Sequence, residues 1–236
     1  MTVRPVSRFY KTAAVAEDAG RFVVQLDGKP VKPPHRAVLA LPNRVLAEAI
    51  AAEWSAQHEK IDAGSMPLTQ LANTAIALVP EHRSKAVEQI LAYGKSDLLC
   101  YRAEAPDELI RRQAALWDPI LDWADAALGA RLAIGQGIGF VEQPAASLLA
   151  LEKAVWRHDA FGLVGLHAAA TTTGSLVLAL ALAEGCLTAG KALELAHLDE
   201  IWQTEKWGRD TAAEARSVKL KTDLEAAERF LRLLAA

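Results

Sequence analysis

Residues Leu198–Asp210, LDEIWQTEKWGRD, combine aromatic and charged side chains in a way that could recognise a partner chain. Trp202 and Trp207 stand five positions apart before Gly208, and Asp210 is placed to cap whatever helix follows. One continuous helix over Thr188–Trp207 would align Leu193, Ala196, Glu200, Thr204 and Trp207, so Glu200 would interrupt a mostly apolar face. Two readings follow. Either both tryptophans are core anchors around a buried, hydrogen-bonded acid, or they and Glu200 form a recognition patch. A charge on a buried face is costly unless something specific pairs with it, which gives the second reading its weight.

Other chemistry is thinly supported. Gly135-Gln136-Gly137-Ile138-Gly139 has phosphate-loop spacing, but Phe140, Val141 and Pro144 follow it rather than a helix start. Backbone amides at a helix N-terminus are what cradle a phosphate, so the run reads as a turn or strand bend. No Walker-type loop is present, and no G-x-S-x-G nucleophile elbow. Cys100 lies in an apolar run that reads as core, and Cys186 is far from it in no metal or redox spacing. His197 and Glu200, three apart, could supply two metal ligands or an acid–base pair. A surface or interhelical hydrogen bond accounts for them better, and no second pair joins them. The sequence therefore points to a binding protein without cofactor or metal. An enzyme using His197 and Glu200, and a helical scaffold for some other client, are the rival readings.

The elements that would position these residues change character along the chain. Arg21–Leu26 alternates around Phe22, Val24 and Leu26, and Asp27-Gly28 supplies a tight hairpin turn. Phe9–Val15, Val31 and Val38–Leu41 add further extended pieces, with Pro33-Pro34 at an edge or turn. From Asn43 the period becomes helical, with Leu46, Ile50 and Trp54 on one stripe, and Ile61–Met66 forms a loop. Helices are expected at 67–78, 81–93, 106–128 (broken or kinked at Pro119), 145–158, 160–172, 176–184, 188–207 and 211–234. Asp97–Arg102 would be a strand returning to the first sheet, and Arg131–Gln143 an extended, glycine-rich stretch. The fold class is α+β: a small β-rich N-terminal domain over 1–65 and a mainly helical bundle over 66–236.

Composition supports that division. Ala (47) and Leu (33) fill a third of the chain, and aromatics reach only 6%, a balance suited to closely packed helices. Net charge is -3, which disfavours binding to nucleic acid. The charge is uneven, because residues 1–36 carry seven Lys/Arg against three Asp/Glu. Phe161–Ala183 lacks charge over 23 residues, but Gly162, Gly165, His167, Thr171–Thr173, Gly174 and Ser175 break it, so it predicts a buried helix pair rather than a membrane span. No leader-like segment precedes Arg8, and nothing in the cysteine pattern calls for an oxidising compartment.

An ordered series of motifs then stands out: Arg8-Phe9-Tyr10-Lys11; Leu26–Val31; Glu53-Trp54 with Gln57; Met66–Thr69 with Asn73-Thr74-Ala75; Tyr93, Asp97 and Cys100–Arg102; Asp118-Pro119; and Glu200, Gln203, Trp207-Gly208 and Asp210. In this order and spacing the chain resembles the ATP-twelve family, assembly chaperones for the catalytic head of F-type ATP synthase. The resemblance covers residues 8–234. It implies an N-terminal α+β domain, a C-terminal orthogonal helical bundle and a non-enzymatic role. It also implies a partner, the free α subunit, held from aggregation until it pairs with the β subunit. On this basis Glu200, Trp202, Gln203, Trp207, Gly208 and Asp210 are the candidate partner-binding residues. Pro33 and Ala77 depart from the family's usual Thr and Asp. The family's mitochondrial members carry an import leader, so this chain is expected to be a bacterial, cytoplasmic form.

Overall fold

The computed structural model describes residues 6–32, 38–78, 80–208 and 211–236, the side chains of 80–81 and 211–215 excepted. Pro33 and Asp210 thus lie outside the described residues.

The N-terminal part is built on a small antiparallel sheet. Strand β2 (Ala13–Asp18) pairs with β3 (Arg21–Leu26), and β3 also pairs with β4 (Lys29–Pro30) and β5 (Ala40–Leu41). Asp27 and Gly28 both take positive φ (48° and 79°) between Leu26 and Lys29, the hairpin turn their types call for. A second strand pair joins β1 (Val6–Ser7) to β6 (Lys60–Ile61), so the stretch read as a loop from Ile61 opens on a strand and continues as a 3-10 turn over Ala63–Ser65. Helix α1 (Arg44–Ser55) lies on the sheet. Asn43 caps it as expected, its side-chain oxygen accepting from the Leu46 N–H at 2.8 Å. The Asn43 amide also donates to the Leu233 carbonyl at 2.8 Å, which ties the end of the chain to the start of α1.

Two apolar clusters organise the interior. The first holds Val24, Leu26, Leu39 and Leu41 against Leu46 and Ile50, and takes in Leu68, Ala72 and Ala75 from α2 (Pro67–Ala77). The second is the bundle of α3 (Pro80–Lys95), α4 (Asp107–Trp123), α5 (Ala145–Trp156), α6 (Ala160–Thr173), α7 (Leu176–Ala183), α8 (Ala189–Ala196) and α10 (Thr211–Leu234). Phe161 and Phe230 stack at 6.3 Å in the first cluster, so α6 and α10 serve both cores. At their crossing a Cβ on Gly165 would meet Leu231 at 2.7 Å, and only glycine permits that approach. The charge-free stretch is the buried pair α6–α7, divided where Gly174 turns left-handed and Ser175 caps α7. Among the described residues no helix is long and apolar enough to cross a membrane.

Three expectations are corrected. Asp97–Arg102 does not return to the first sheet. Leu98–Cys100 is a 3-10 turn, and β7 (Tyr101–Arg102) runs parallel to β8 (Gly135–Gln136), using the glycine-rich stretch as its partner. Of the break or kink expected at Pro119, the break is absent: the helix runs on to Trp123 and then widens into a π turn over Ala124–Leu128, closed by Gly129. Thr188–Trp207 is two helices, because the chain leaves helical geometry at His197 (φ -106°, ψ 23°) before α9 (Leu198–Trp207) begins.

Asp97 explains why a short polar motif sits in an apolar bundle. Its carboxylate is fully buried, accepting from the Leu99 N–H at 3.1 Å and from the Val177 N–H at 3.0 Å. It therefore serves the buried, otherwise unpaired amides at the starts of both the 3-10 turn and α7. Burial pushes this carboxyl up to about 6, against the opposing pull of the Val177, Ser175, Leu99 and Leu176 hydrogen bonds. A raised acid binds its proton more tightly when folded, so its contribution to stability grows as pH falls from about 6 towards 4. We expect the melting-temperature gap between the wild type and Asp97→Asn to widen over that interval and stay flat above it. A gap that narrows on acidification would contradict this assignment.

Candidate functional site

The segment Leu198–Trp207 is held against α4 by one side of its surface. Gln113, fully buried, accepts from the Ala103 N–H and donates to Asp199 at 2.8 Å. Arg112 forks onto Glu205 at 2.6 and 3.0 Å, and Lys206 reaches Glu108 at 3.4 Å. The Arg112 hydrogen bond holds the Glu205 carboxyl below the usual carboxylate range. Trp202 is 5% exposed, with Lys206 Nζ 4.6 Å and the Arg112 guanidinium 5.9 Å from its ring centroid. Beneath this layer the Trp117 indole donates to the Leu195 carbonyl at 2.9 Å, linking α4 to α8.

The two tryptophans have opposite fates. Trp202 anchors the segment, whereas Trp207 is 79% exposed at the end of α9. Glu200 is not a buried acid. Its side chain is 67% exposed and its Oε2 lies 2.9 Å from His197 Nδ1. The break at His197 is the reason, since it takes Glu200 off the line that a continuous helix would have drawn through Leu193 and Ala196. Gln203 is exposed, and Gly208 closes α9 with φ 91°, a conformation that side chains resist. Glu200, Gln203 and Trp207 thus share a solvated segment whose other side is clamped, Trp202 belongs to the clamp, and Asp210 lies outside the described residues.

The groups weighed for catalysis are arranged otherwise. His197 Nε2 is buried with no hydrogen-bond partner among the described residues, and its contact with Glu200 is a pair, not a cluster. Among the described residues no three His, Cys, Asp or Glu side chains gather around one point. Burial, with the neighbouring Asp97 charge, pushes the Cys100 thiol up to about 12, so it stays protonated at neutral pH. Gly135–Gly139 is β8 and a turn, with Gly137 at φ 76° and no helix following directly.

Sequence comparison places these features in a family. The model for the ATP12 chaperone protein matches residues 7–125. The crystal structure of Atp12 from Paracoccus denitrificans superimposes with a TM-score of 0.93 at 41% identity, covering 97% of this chain and 98% of that one. The chain belongs to the ATP12 chaperone family. The Atu1473 protein of Agrobacterium tumefaciens is equally similar, at 41% identity and a TM-score of 0.93 over 97% of this chain and 86% of its own. The mitochondrial protein atp12 of Schizosaccharomyces pombe is 24% identical over 92% of this chain and 79% of its own length.

Within the ATP12 motif series, several members now have structural work. Glu53 accepts from the Leu68 and Thr69 N–H groups, each at 2.8 Å, and from the Thr69 hydroxyl at 2.7 Å. Gln57 accepts from the Asp62 N–H and donates to Ser65 and to the Glu53 carbonyl. Asp118 pairs with buried Arg102 at 2.8 Å. Sequence reasoning missed exposed apolar side chains elsewhere. Phe9 is 70% exposed, Phe140 is 75% exposed, and Ile138 is wholly exposed. For Ile138 and Phe140 the alternation with Gly137 and Gly139 was the available signal, because apolar residues between turn glycines have little core to enter.

The opposite burial of the tryptophans is testable. Trp202→Ala removes a clamped anchor and should cost about 3–5 kcal/mol, a drop of roughly 6–20 °C in melting temperature. Trp207→Ala should change stability by less than about 0.5 kcal/mol. Equal losses in thermal unfolding would show that Trp207 is a core residue after all.

Proposed function

We propose that this protein is an ATP-independent chaperone of F-type ATP synthase assembly that binds the unassembled α subunit of the catalytic head. It prevents that subunit from aggregating until the β subunit takes its place. Membership of the ATP12 family supports the chaperone role, and Trp207 supports the mode of action. A large aromatic side chain, left 79% exposed on a segment clamped from the other side, suits transient capture of an apolar interface. An unassembled subunit exposes such an interface, and self-association is its default fate. Release needs no nucleotide cycle if the incoming β subunit binds the same face more tightly. The reaction is binding and not catalysis, and the compartment is the bacterial cytoplasm.

Glu200, Gln203 and Trp207 are the proposed client contacts on this segment, with Trp202 holding it in place. Isolated α subunit should scatter less light on warming when this protein is added in equal amount without nucleotide, and a complex should elute by gel filtration. No protection and no complex would refute the reading. Glu200→Lys should leave thermal unfolding within about 0.5 kcal/mol of wild type, since the side chain is solvated, while weakening protection. Unchanged protection would remove Glu200 from the contact.

A further inference from the structure

A groove of about 700 Å³ opens in the N-terminal part of the chain, between the hairpin and the helices α1 and α2. Phe9, Tyr10, Trp54, Ile61 and Met66 make its lining mainly apolar. The aromatic residues form a ladder into the protein, with Phe9 edge-on to Tyr10 at 5.4 Å and Tyr10 edge-on to Trp54 at 5.8 Å. Arg8 fixes the outer rung. Its guanidinium donates to the carbonyls of Tyr10, Lys11 and Gln57 and lies 4.8 Å from the Tyr10 ring centroid. Phe9 is thereby held at 70% exposure on a hydrogen-bonded backbone, as part of a mainly apolar lining.

Two further observations say what the groove is suited to hold. Trp54 Nε1 and Asn73 Oδ1, both on lining residues, are buried with no hydrogen-bond partner among the described residues. Behind one groove wall, an unsatisfied donor and an unsatisfied acceptor are what an extended backbone can satisfy, with its C=O and its N–H, once its entry parts the side chains that cover them. The rim is charged asymmetrically. Lys29 and Lys32 stand exposed there with no ion pair among the described residues. Asp27, the one acid in the lining, already accepts from the Lys11 N–H, the Thr12 N–H and the Thr12 hydroxyl. These bonds hold its carboxyl below the usual range, so it stays ionised, and two lysines against one acid leave the rim net positive.

We propose that this groove receives an extended segment of the client carrying a bulky apolar side chain beside an acidic one. The apolar side chain stacks on Phe9 and fills the groove, the backbone bonds Trp54 and Asn73, and the acid meets Lys29 and Lys32. This rests on the chaperone reading above and adds a second, chemically selective point of attachment far along the chain from Trp207.

The groove can be tested without the client. In the ¹⁵N-labelled full chain, the Trp54 indole N–H signal is identified by its loss in Trp54→Phe. Titration with the capped peptide Asp-Leu-Phe-Leu-Asp should move that signal downfield to saturation. Lys in place of both Asp residues, or the double variant Lys29→Glu with Lys32→Glu, should weaken binding about tenfold. Both lysines are exposed, and an unchanged melting temperature will show that the variant is folded. A stationary indole signal, an equal response to both peptides, or a shift that follows protein concentration alone (a second copy as occupant) would each overturn the proposal. A benzophenone side chain in place of Phe9 then tests the client directly. Cross-linking to isolated α subunit, lost in the double lysine variant, supports the assignment. A complex that elutes intact without any cross-link from position 9 overturns the groove as a client site and leaves the chaperone reading standing. A peptide response with no α-subunit complex would instead overturn the choice of client.

Discussion

The Glu53 carboxylate is the interaction on which the N-terminal half depends. Helix α2 starts at Pro67 with no side-chain cap of its own, since Met66 precedes it and makes no such bond. Its first amides would be buried without partners, at a cost of about 1–3 kcal/mol each. Glu53, near the end of α1, supplies both oxygens to them from fifteen residues away, and the negative charge complements the positive end of the helix. The bond therefore does more than cap. It fixes the angle between α1 and α2, and with it the distance from Trp54 to Asn73 across the groove. Gln57, one turn on, holds the intervening chain by bonds to Asp62 and Ser65. A pattern that reads in sequence as separate motifs, Glu53-Trp54 with Gln57 and Met66–Thr69, is one hydrogen-bonded unit.

The same logic recurs in the bundle with a different residue. Asp97 gathers the amides of the 3-10 turn and of α7, and α7 is so uniformly apolar that it offers no polar group besides Ser175 to close its own start. A helix buried on all sides must have its first amides satisfied from elsewhere in the chain. Both acids thus stand at helix starts contributed by distant segments, and both make the packing of small aliphatic side chains possible without leaving amides unpaired. Low aromatic content follows from this arrangement: Ala- and Gly-rich faces let helices approach closely, as at Gly165 and Leu231, and the few aromatic rings are kept for junctions and surfaces.

Local signals carried much of the fold. The Asn43 cap and the Asp27-Gly28 turn act on neighbours within a few residues, so both were readable in the sequence, as was the change of period after Asn43. What could not be read depended on partners far along the chain. Asp97–Arg102 is apolar enough for a strand, but whether it pairs with the first sheet or with Gly135–Gln136 is decided by three-dimensional closure. The break at His197 was hidden because Ala, Leu, Glu and His continue a helical pattern through it, and no Gly or Pro marks it. That single break inverted the expectation for Glu200. The candidate segment was found, but its division into a clamped side and a solvated side required α4, whose Arg112, Gln113 and Glu108 are some ninety residues away.

A chaperone of this kind faces two opposed demands. It has to present apolar surface to a client yet avoid presenting it to itself. The rings of Trp207 and Phe9 are accordingly bracketed by charge. Trp207 follows Lys206 and Glu205, which are engaged with α4 and keep the approach to the ring polar, and Phe9 stands between Arg8 and Lys11. The backbone beside each ring is also held, in one case by the Trp202 clamp and in the other by the Arg8 bonds, so less backbone entropy remains to be lost on contact. Small, rigid, separated apolar points give fast and reversible contact, whereas one continuous apolar face would favour permanent association. Reversibility is what a holding factor needs, because its client must leave for a larger and more complementary interface.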